Sequence, residues 1–240
     1  MSDNFKELCV QIISILHDVR YGIPSQRLHF MKTLANRTAV LRIEKTLADY
    51  PVELFDELGN SAGVLPVKSI SQVIDAPPIW SGNSWRNVVP TVILAGQSSQ
   101  TLLWTTIHEM CHLLSIGPYI QDERHCWHHH FGILEYDYQS SGKQLVQTFS
   151  QGHVGINELI TDYITWKIIN CVFRSEAPLY SGIERFKQYL ESCCSTEEIY
   201  MLAGGYFSGN TSRVQEILFC QAYDSYNSLY SAMSGFNYGT

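Results

Sequence analysis

Hydrophobic residues recur at helical spacing in two separate segments of the chain. Residues 100–116, QTLLWTTIHEMCHLLSI, are apolar on most faces of a helix, which is typical of a buried helix. Ser98 and Ser99 can cap its start, and the Gly-Pro pair at 117–118 ends it. Residues 155–169, GINELITDYITWKII, carry isoleucine and leucine with the same period of about 3.6 residues. We therefore predict a buried helix in the first segment and a second helix, with an apolar stripe, in the other.

Weaker patterns predict the elements around these two helices. The start of the chain, MSDNFKELCVQIISIL, has one apolar stripe and predicts an amphipathic helix. A second group of segments comprises a helical stretch at 39–59 and strands at 64–74 and 87–96. The chain beyond Gly117 is predicted to be mainly helical. It includes a capping box from Ser195 to Glu198 and a last helix from about 212 to 232.

The order of these elements predicts an α+β fold. Residues 1–117 form a lobe of helix and sheet, and residues 118–240 form a mainly helical lobe, the two making one catalytic domain. The segment IWSGNSW, residues 79–85, is the candidate edge along which an extended peptide could pair.

The first buried helix contains a pattern of residues that can bind a metal ion. His108 and His112 are four residues apart, so both rings lie on one helical face and point toward a common position. Glu109, one residue along, can take a proton from water beside the metal. Burying these three groups without partners would cost several kcal/mol, and a bound Zn²⁺ would satisfy them.

A third protein ligand is needed, and two of the candidates are set aside. The metzincin extension requires Gly and His where this chain has Ser115 and Pro118. The cluster that contains His125 and residues 128–130 is predicted to be an exposed loop without a catalytic role. The second helix offers carboxylates four residues apart, Glu158 and Asp162. One of them can bind the metal while the other accepts the ring N–H of a ligand histidine.

The motif HEMCH, followed at a distance by NELITD, resembles the gluzincin metallopeptidases of the thermolysin-like clan. The resemblance implies a zincin-like fold, with zinc at the floor of a cleft between the two lobes. It implies that His108, His112 and Glu158 are the zinc ligands and that Glu109 is the general base. It also implies flanking roles for two further residues, Asn157 and Asp162.

A gluzincin also uses a Tyr or His of the lower lobe to stabilise the developing oxyanion. The candidates for that role are Tyr206 and His153, with Tyr163 behind them. Cys111, inside the HEMCH motif, points toward the apolar side of its helix and is predicted to be a buried structural thiol.

Composition narrows the choice of partners and compartment. The net charge is −7 and no Lys/Arg cluster is present, which argues against a nucleic-acid surface. No apolar run approaches the roughly 20 residues of a membrane-spanning helix, so no membrane partner is expected. The amino terminus lacks signal-peptide features, and seven scattered cysteines do not form a disulfide framework. A cytoplasmic protein is expected, with export as an effector left open and the oligomeric state undetermined.

The residues thus predict a zinc-dependent metalloendopeptidase that acts on a peptide or protein substrate. Two alternatives remain open. One is a zinc-binding module without proteolytic activity. The other is a zinc amidase or aminopeptidase acting on small substrates, although the G-x-M-E-N motif that holds a substrate amine in gluzincin exopeptidases is absent from the chain.

Overall fold

The computed structural model describes most of the helical part of the chain and several short strands. The described residues are 2–43, 72–74, 79–81, 84–86, 91–95, 99–118, 120–121, 123, 127–138, 151–173, 181–219 and 223–234.

Two helices at the start of the chain form an antiparallel pair. Helix α1 (Ser2–Leu16) buries one stripe of its surface, as the amphipathic pattern predicts, with Phe5 and Ile12 among the buried residues. A 3₁₀ turn (Val19–Tyr21) follows, and Gly22 ends it with a positive φ of 64°. Helix α2 (Ser25–Arg37) then returns along α1.

A three-stranded sheet precedes the first buried helix. Strands β1 (Ala39–Ile43) and β5 (Thr91–Ala95) are parallel, with Ala39 opposite Thr91, and β2 (Gln72–Ile74) pairs antiparallel to the other side of β5. The prediction of helix at 39–59 is therefore wrong over its first five residues, AVLRI. Pairing with β5 outweighs their weak helical pattern. Residues 44–59 lie outside the described part of the chain.

The predicted strands at 64–74 and 87–96 are confirmed where they are described, as β2 and β5. Between them, the proposed substrate edge forms an antiparallel pair, β3 (Ile79–Ser81) and β4 (Ser84–Arg86). Helix α3 (Ser99–Ser115) follows β5 and carries the HEMCH motif.

The chain after α3 is not immediately helical, which corrects the sequence prediction. Strands β6 (Ile120–Gln121), β7 (Trp127–Phe131) and β8 (Leu134–Tyr138) form an antiparallel sheet in chain order. The two-residue turn between β7 and β8 begins at Gly132, whose φ of 61° suits a tight hairpin.

The histidine-rich segment is consequently part of a sheet where an exposed loop was predicted. His128 and His130 lie in β7 and are half-buried, while His125 lies outside the described residues. The His130 ring packs closely against two glycines, Gly117 and Gly209, and a Cβ atom at either position would collide with it.

The second buried helix, α4 (Gln151–Ile168), continues into a π-helical turn (Ile169–Phe173). Four shorter helices complete the described chain: α5 (Ser181–Cys193), α6 (Thr196–Ser208), α7 (Thr211–Leu218) and α8 (Tyr226–Ser234).

The boundaries of these last helices confirm one prediction and correct another. The capping box from Ser195 to Glu198 is present at the start of α6. The single last helix predicted at about 212–232 is instead two helices, α7 and α8. Helix α8 begins at Tyr226, directly after Ser225, whose hydroxyl accepts the backbone N–H of Ser228.

Helices α3 and α4 pack against each other at the centre of one hydrophobic core. That core includes residues from both predicted lobes, from Phe5 in α1 to Met233 in α8. Within the described residues, no helix is both long and apolar enough to cross a membrane. The zincin-like class stays a prediction.

Candidate metal centre

The side chains of the two motifs meet where α3 packs against α4. His108 and His112 lie one turn apart on the face of α3 that contacts α4, and Glu158 and Asp162 lie one turn apart on the facing side of α4. Helical periodicity fixes each pair locally, and the packing of the two apolar helices brings the pairs together.

Three atoms converge at the centre of this cluster. The Nε2 atoms of His108 and His112 are 3.0 Å apart, and Oε2 of Glu158 lies 3.4 Å from the first and 3.3 Å from the second. Tetrahedral zinc with ligand bonds of about 2.0–2.2 Å places its ligand atoms about 3.3–3.6 Å apart. The two nitrogen–oxygen separations and the two-nitrogen, one-oxygen donor set therefore fit a zinc ion, whereas the two nitrogens, at 3.0 Å, are slightly closer than this range.

The protonation of His108 is controlled by a carboxylate on the far side of its ring. Oδ1 of Asp162 lies 2.8 Å from Nδ1 of His108, which leaves Nε2 directed at the cluster. Burial disfavours the charged ring, but hydrogen bonds to Asp162 and Glu158 outweigh this effect and raise the pKa of His108 to about 10. Burial also raises the pKa of Asp162. Without a metal, His108 therefore carries a second ring proton at neutral pH, which a metal ion at Nε2 must displace.

A directed chain of hydrogen bonds fixes the other ligand histidine. The hydroxyl of Thr161 donates to the backbone carbonyl of Asn157, at 2.8 Å, so its oxygen must accept the hydroxyl proton of Tyr206 at 2.6 Å. The Tyr206 oxygen can then accept from Nδ1 of His112, 3.4 Å away. This order of donors places the proton of His112 on Nδ1 and its lone pair on Nε2.

The two Nδ1 contacts together make the centre a site for a positive charge. When the Nδ1 proton of each histidine is directed away from the centre, the lone pairs of the two Nε2 atoms point toward each other across 3.0 Å. Two such lone pairs repel unless a cation, either a proton or a metal ion, lies between them. The Glu158 carboxylate adds negative charge. Partial burial acts to raise its pKa, but the neighbouring histidines outweigh this effect and hold the pKa well below the usual range.

The centre is buried on one side and open on the other. The side chains of His112 and Asp162 are each 6% exposed, whereas that of Glu158 is 47% exposed. The His112 ring is stacked on Phe131 of β7, with ring centroids 5.0 Å apart and planes 11° apart. Solvent and a bound molecule can therefore reach the ligand atoms from the Glu158 side.

Glu109 lies beside the ligands on α3 and is buried, with only 4% exposure. Its charge contributes to the raised pKa of His108, so the carboxylate is within electrostatic reach of the centre. Cys111 is fully buried, as predicted for a structural thiol, and its sulfur accepts a hydrogen bond from Thr165 at 3.8 Å. Burial raises the pKa of Cys111 to about 12, which keeps the thiol neutral.

The candidates for oxyanion stabilisation lie away from the ligand atoms. The Tyr206 hydroxyl contacts Nδ1 of His112, on the opposite side of that ring from Nε2, and the residue is fully buried. The His153 ring packs on Tyr226 of α8, with centroids 4.3 Å apart, and does not join the three-ligand cluster. Tyr163, on another face of α4, packs against Phe186.

Asn157 supports the site indirectly. Its Oδ1 accepts the backbone N–H of Ile133 at 3.0 Å and so fastens the β7–β8 turn to α4. Gly132 in that turn packs against Asn157 and Tyr206 so closely that a Cβ atom would collide with both. The position of this turn places Phe131 against the His112 ring.

Sequence reasoning missed three residues that shape the site: Phe131, Thr161 and Arg27. Thr161 had a signal, because it lies within the NELITD motif, four residues after Asn157. Arg27 on α2 had none. Its Nε and Nη2 atoms donate to the backbone carbonyls of Phe207 and Leu114, both at 2.7 Å, and so join the last turns of α6 and α3. Burial lowers the pKa of Arg27 to about 10, which still leaves it charged at neutral pH.

Comparison with known proteins gives no relative from which a function could be carried over. No protein-family model, curated protein or solved structure matches this chain. The gluzincin resemblance therefore rests on two short motifs and stays a prediction.

Proposed function

We propose that this protein is a zinc-dependent metallopeptidase of the gluzincin type, with His108, His112 and Glu158 as the zinc ligands. One observation carries the proposal. Two imidazole nitrogens and one carboxylate oxygen lie 3.0–3.4 Å from one another, and the outward nitrogen of each ring already has a partner. Ligands held in this way need little rearrangement to bind a metal ion, and three protein ligands leave a coordination position open.

The chemistry follows from the position of Glu109 beside that centre. A bound zinc ion would supply an activated water and polarise the carbonyl group of a peptide bond. Glu109 is the proposed general base, which accepts the proton of the attacking water and delivers it to the leaving amine. Asp162 and Tyr206 hold the two ligand rings in the required tautomer. The partly exposed side of Glu158 is the proposed route by which a peptide approaches.

The test is to compare wild type with Glu109→Gln on a broad peptide library after measuring zinc content. Glutamine has the shape of glutamate but cannot take up the proton, so zinc should stay bound while turnover falls by about 10²–10⁴-fold. A chelator should abolish wild-type cleavage and added zinc should restore it. Glu184→Gln, at an exposed position on α5, serves as the control and should leave turnover unchanged.

Each alternative function gives a different result in this experiment. A zinc-loaded wild type that cleaves nothing in the library would identify a binding module. Hydrolysis confined to small amides or amino-terminal residues would identify an amidase or aminopeptidase. Cleavage by Glu109→Gln at the wild-type rate would exclude Glu109 as the base.

A further inference from the structure

The face of α4 that points away from the metal centre borders a cavity of about 180 Å³. The cavity lies between α1, the 3₁₀ turn, α4 and α6, all of which belong to the described part of the chain. Its walls are mainly apolar and include Ile12, Leu16, Ile164, Ile168, Leu202 and Ala203. An engineered cavity of about 150 Å³ with similar walls binds benzene, so this one can hold a hydrocarbon group of about six to eight carbon atoms.

The charges around the cavity do not cancel. Asp18 and Arg20 both line it, but they pair with each other, with Oδ2 and Nη2 2.6 Å apart. Lys167 is the remaining charged residue of the lining, which gives the wall a net charge of +1. Its Nζ atom lies 5.6 Å from the centre of the Tyr163 ring, and no described carboxylate forms an ion pair with it. The cavity therefore favours a ligand with a single negative charge.

Cys171 and Tyr163 also line this cavity. Cys171 lines it from the π-helical turn after α4, and its side chain is exposed. Turns of this kind are rare and are frequently found at functional sites. Tyr163 also lines the cavity, and its buried hydroxyl has no hydrogen-bond partner among the described residues. That hydroxyl has almost no accessible surface, so a molecule in the cavity does not reach it.

We propose that this cavity binds a small amphiphilic carboxylate, with its hydrocarbon group among the apolar walls and its carboxylate on Lys167. A single lysine can satisfy a monoanion, whereas a dianion would stay under-compensated in an apolar wall. The site is separate from the metal centre and does not depend on the proposed peptidase activity.

The experiment compares sodium octanoate with octan-1-ol, which has the same chain length and no charge. Binding to the full-length, zinc-loaded protein is measured by calorimetry, and the alkylation of Cys171 by iodoacetamide is followed by mass spectrometry. We expect octanoate to bind with one-to-one stoichiometry and to slow alkylation of Cys171 about fivefold or more. We expect octanol to bind about tenfold more weakly, because it lacks the charge-assisted contact. Octanoate that bound only at zinc would leave the alkylation of Cys171 unchanged and would overturn the proposal.

Substitutions separate the charge contact from the apolar contact. Lys167→Met should weaken octanoate about tenfold and leave octanol unchanged. The matched control is Lys187→Met, because Lys187 lies 4.8 Å from the Trp166 ring and pairs with Glu191, outside the cavity. Ala203→Leu should fill the cavity and abolish the binding of both probes, with folding checked by circular dichroism. Lys167 is half-buried at the rim, so its substitution tests the proposal even if Ala203→Leu fails to fold.

Two further outcomes would overturn the proposal: equal affinity for octanoate and octanol, or unchanged octanoate affinity in Lys167→Met. The same measurements on Glu158→Ala, which lacks a zinc ligand, should give wild-type octanoate affinity. A failed peptidase test and a failed cavity test are thus distinguishable.

Discussion

The two sides of helix α4 differ in whether their buried polar side chains have hydrogen-bond partners. On the side that faces α3, Asp162 and Thr161 each have a hydrogen-bond partner within the chain, and the contacts continue to both ligand histidines. On the side that faces α1 and α6, the wall is apolar, the Tyr163 hydroxyl has no partner among the described residues, and space is left open.

Together the two proposals would give one helix two binding tasks. Polar groups that are already held by partners keep ligand atoms in place, which suits a metal ion with fixed bond lengths. An apolar wall with one charge fixes only the head of a ligand and tolerates variation in its chain. If the two sides are independent, a substitution on one side should leave the other unchanged.

The largest effect is expected on the metal side, from Glu158→Ala. Loss of a residue that only hydrogen-bonds to a metal ligand typically weakens metal binding by roughly 10- to 100-fold. Removing one of the three protein ligands themselves should weaken zinc binding by more than this. Zinc affinity is measured by competition with a chromophoric chelator. Lys167→Met, on the cavity side of the same helix, should keep wild-type zinc affinity. Full zinc retention in Glu158→Ala would exclude the proposed ligand set.

Asp162→Ala should have the next largest effect and should weaken zinc binding by about 10- to 100-fold. The lost carboxylate no longer orients His108 or accepts the proton of its Nδ1 atom. Asp224→Ala, at an exposed position, is the control and should behave as wild type. Unchanged affinity in Asp162→Ala would mean that the hydrogen bond does not support the metal site.

The affinity ratio between wild type and Asp162→Ala should also depend on pH. Zinc must displace a proton from His108 in the wild type, because the pKa of that ring is raised to about 10. Wild-type affinity therefore rises with pH throughout the neutral range. In the variant the pKa of His108 returns toward about 6.5, and the affinity levels off above that pH. The ratio should grow between about pH 6.5 and 8, and a constant ratio would contradict the raised pKa.

On the cavity side, Gly204→Ala should destabilise the protein by about 1–3 kcal/mol. A methyl group at this position of α6 would collide with the backbone carbonyl of Tyr21 in the 3₁₀ turn. The gain in helix propensity, about 1 kcal/mol, is too small to compensate. Urea unfolding measures the change, and Glu197→Ala, exposed in the first turn of α6, is the control. Zinc affinity should stay unchanged, and a more stable Gly204→Ala protein would show that the turn does not pack as described.

The smallest effect is expected from Tyr206→Phe, which removes one hydroxyl from the chain that holds His112. We expect a loss of stability of about 1 kcal/mol and a three- to tenfold loss of zinc affinity. Turnover at saturating zinc should fall by no more than about tenfold. A loss of 10²–10³-fold in kcat, with zinc still bound, would instead identify the hydroxyl as an oxyanion donor. Tyr200→Phe, on the cavity side of α6, is the control.

The part of the site that follows from helical periodicity could be predicted from the sequence. The pairs His108 with His112 and Glu158 with Asp162 are four residues apart, so their relative placement depends only on each helix being formed. The two helices were predicted from the same periodicity, and both are present as α3 and α4. The gluzincin type and the zincin-like class stay predictions.

The remaining features depend on contacts between distant segments. The Tyr206 side chain could not be oriented from its position in the sequence, because it meets His112 across 94 residues. The β7–β8 hairpin was missed because histidine has no strong preference for strand or helix, and the Gly132 turn was not recognised. Arg27 reaches carbonyls 87 and 180 residues further along the chain, and no local pattern signals such a contact.

The Arg27 hydrogen bonds have a consequence for the order in which the protein unfolds. The last carbonyls of a helix have no partner within that helix, and here one side chain of α2 satisfies such groups in both α3 and α6. If the α1–α2 pair detached, these carbonyls would lose their hydrogen-bond donor. The ends of α3 and α6, the helices that contain His112 and Tyr206, would then be less stable. The amino-terminal pair and the metal centre should therefore open together as one cooperative unit in native-state hydrogen exchange. A truncation that begins after Arg37 would remove the support of the metal centre along with the amino-terminal helices.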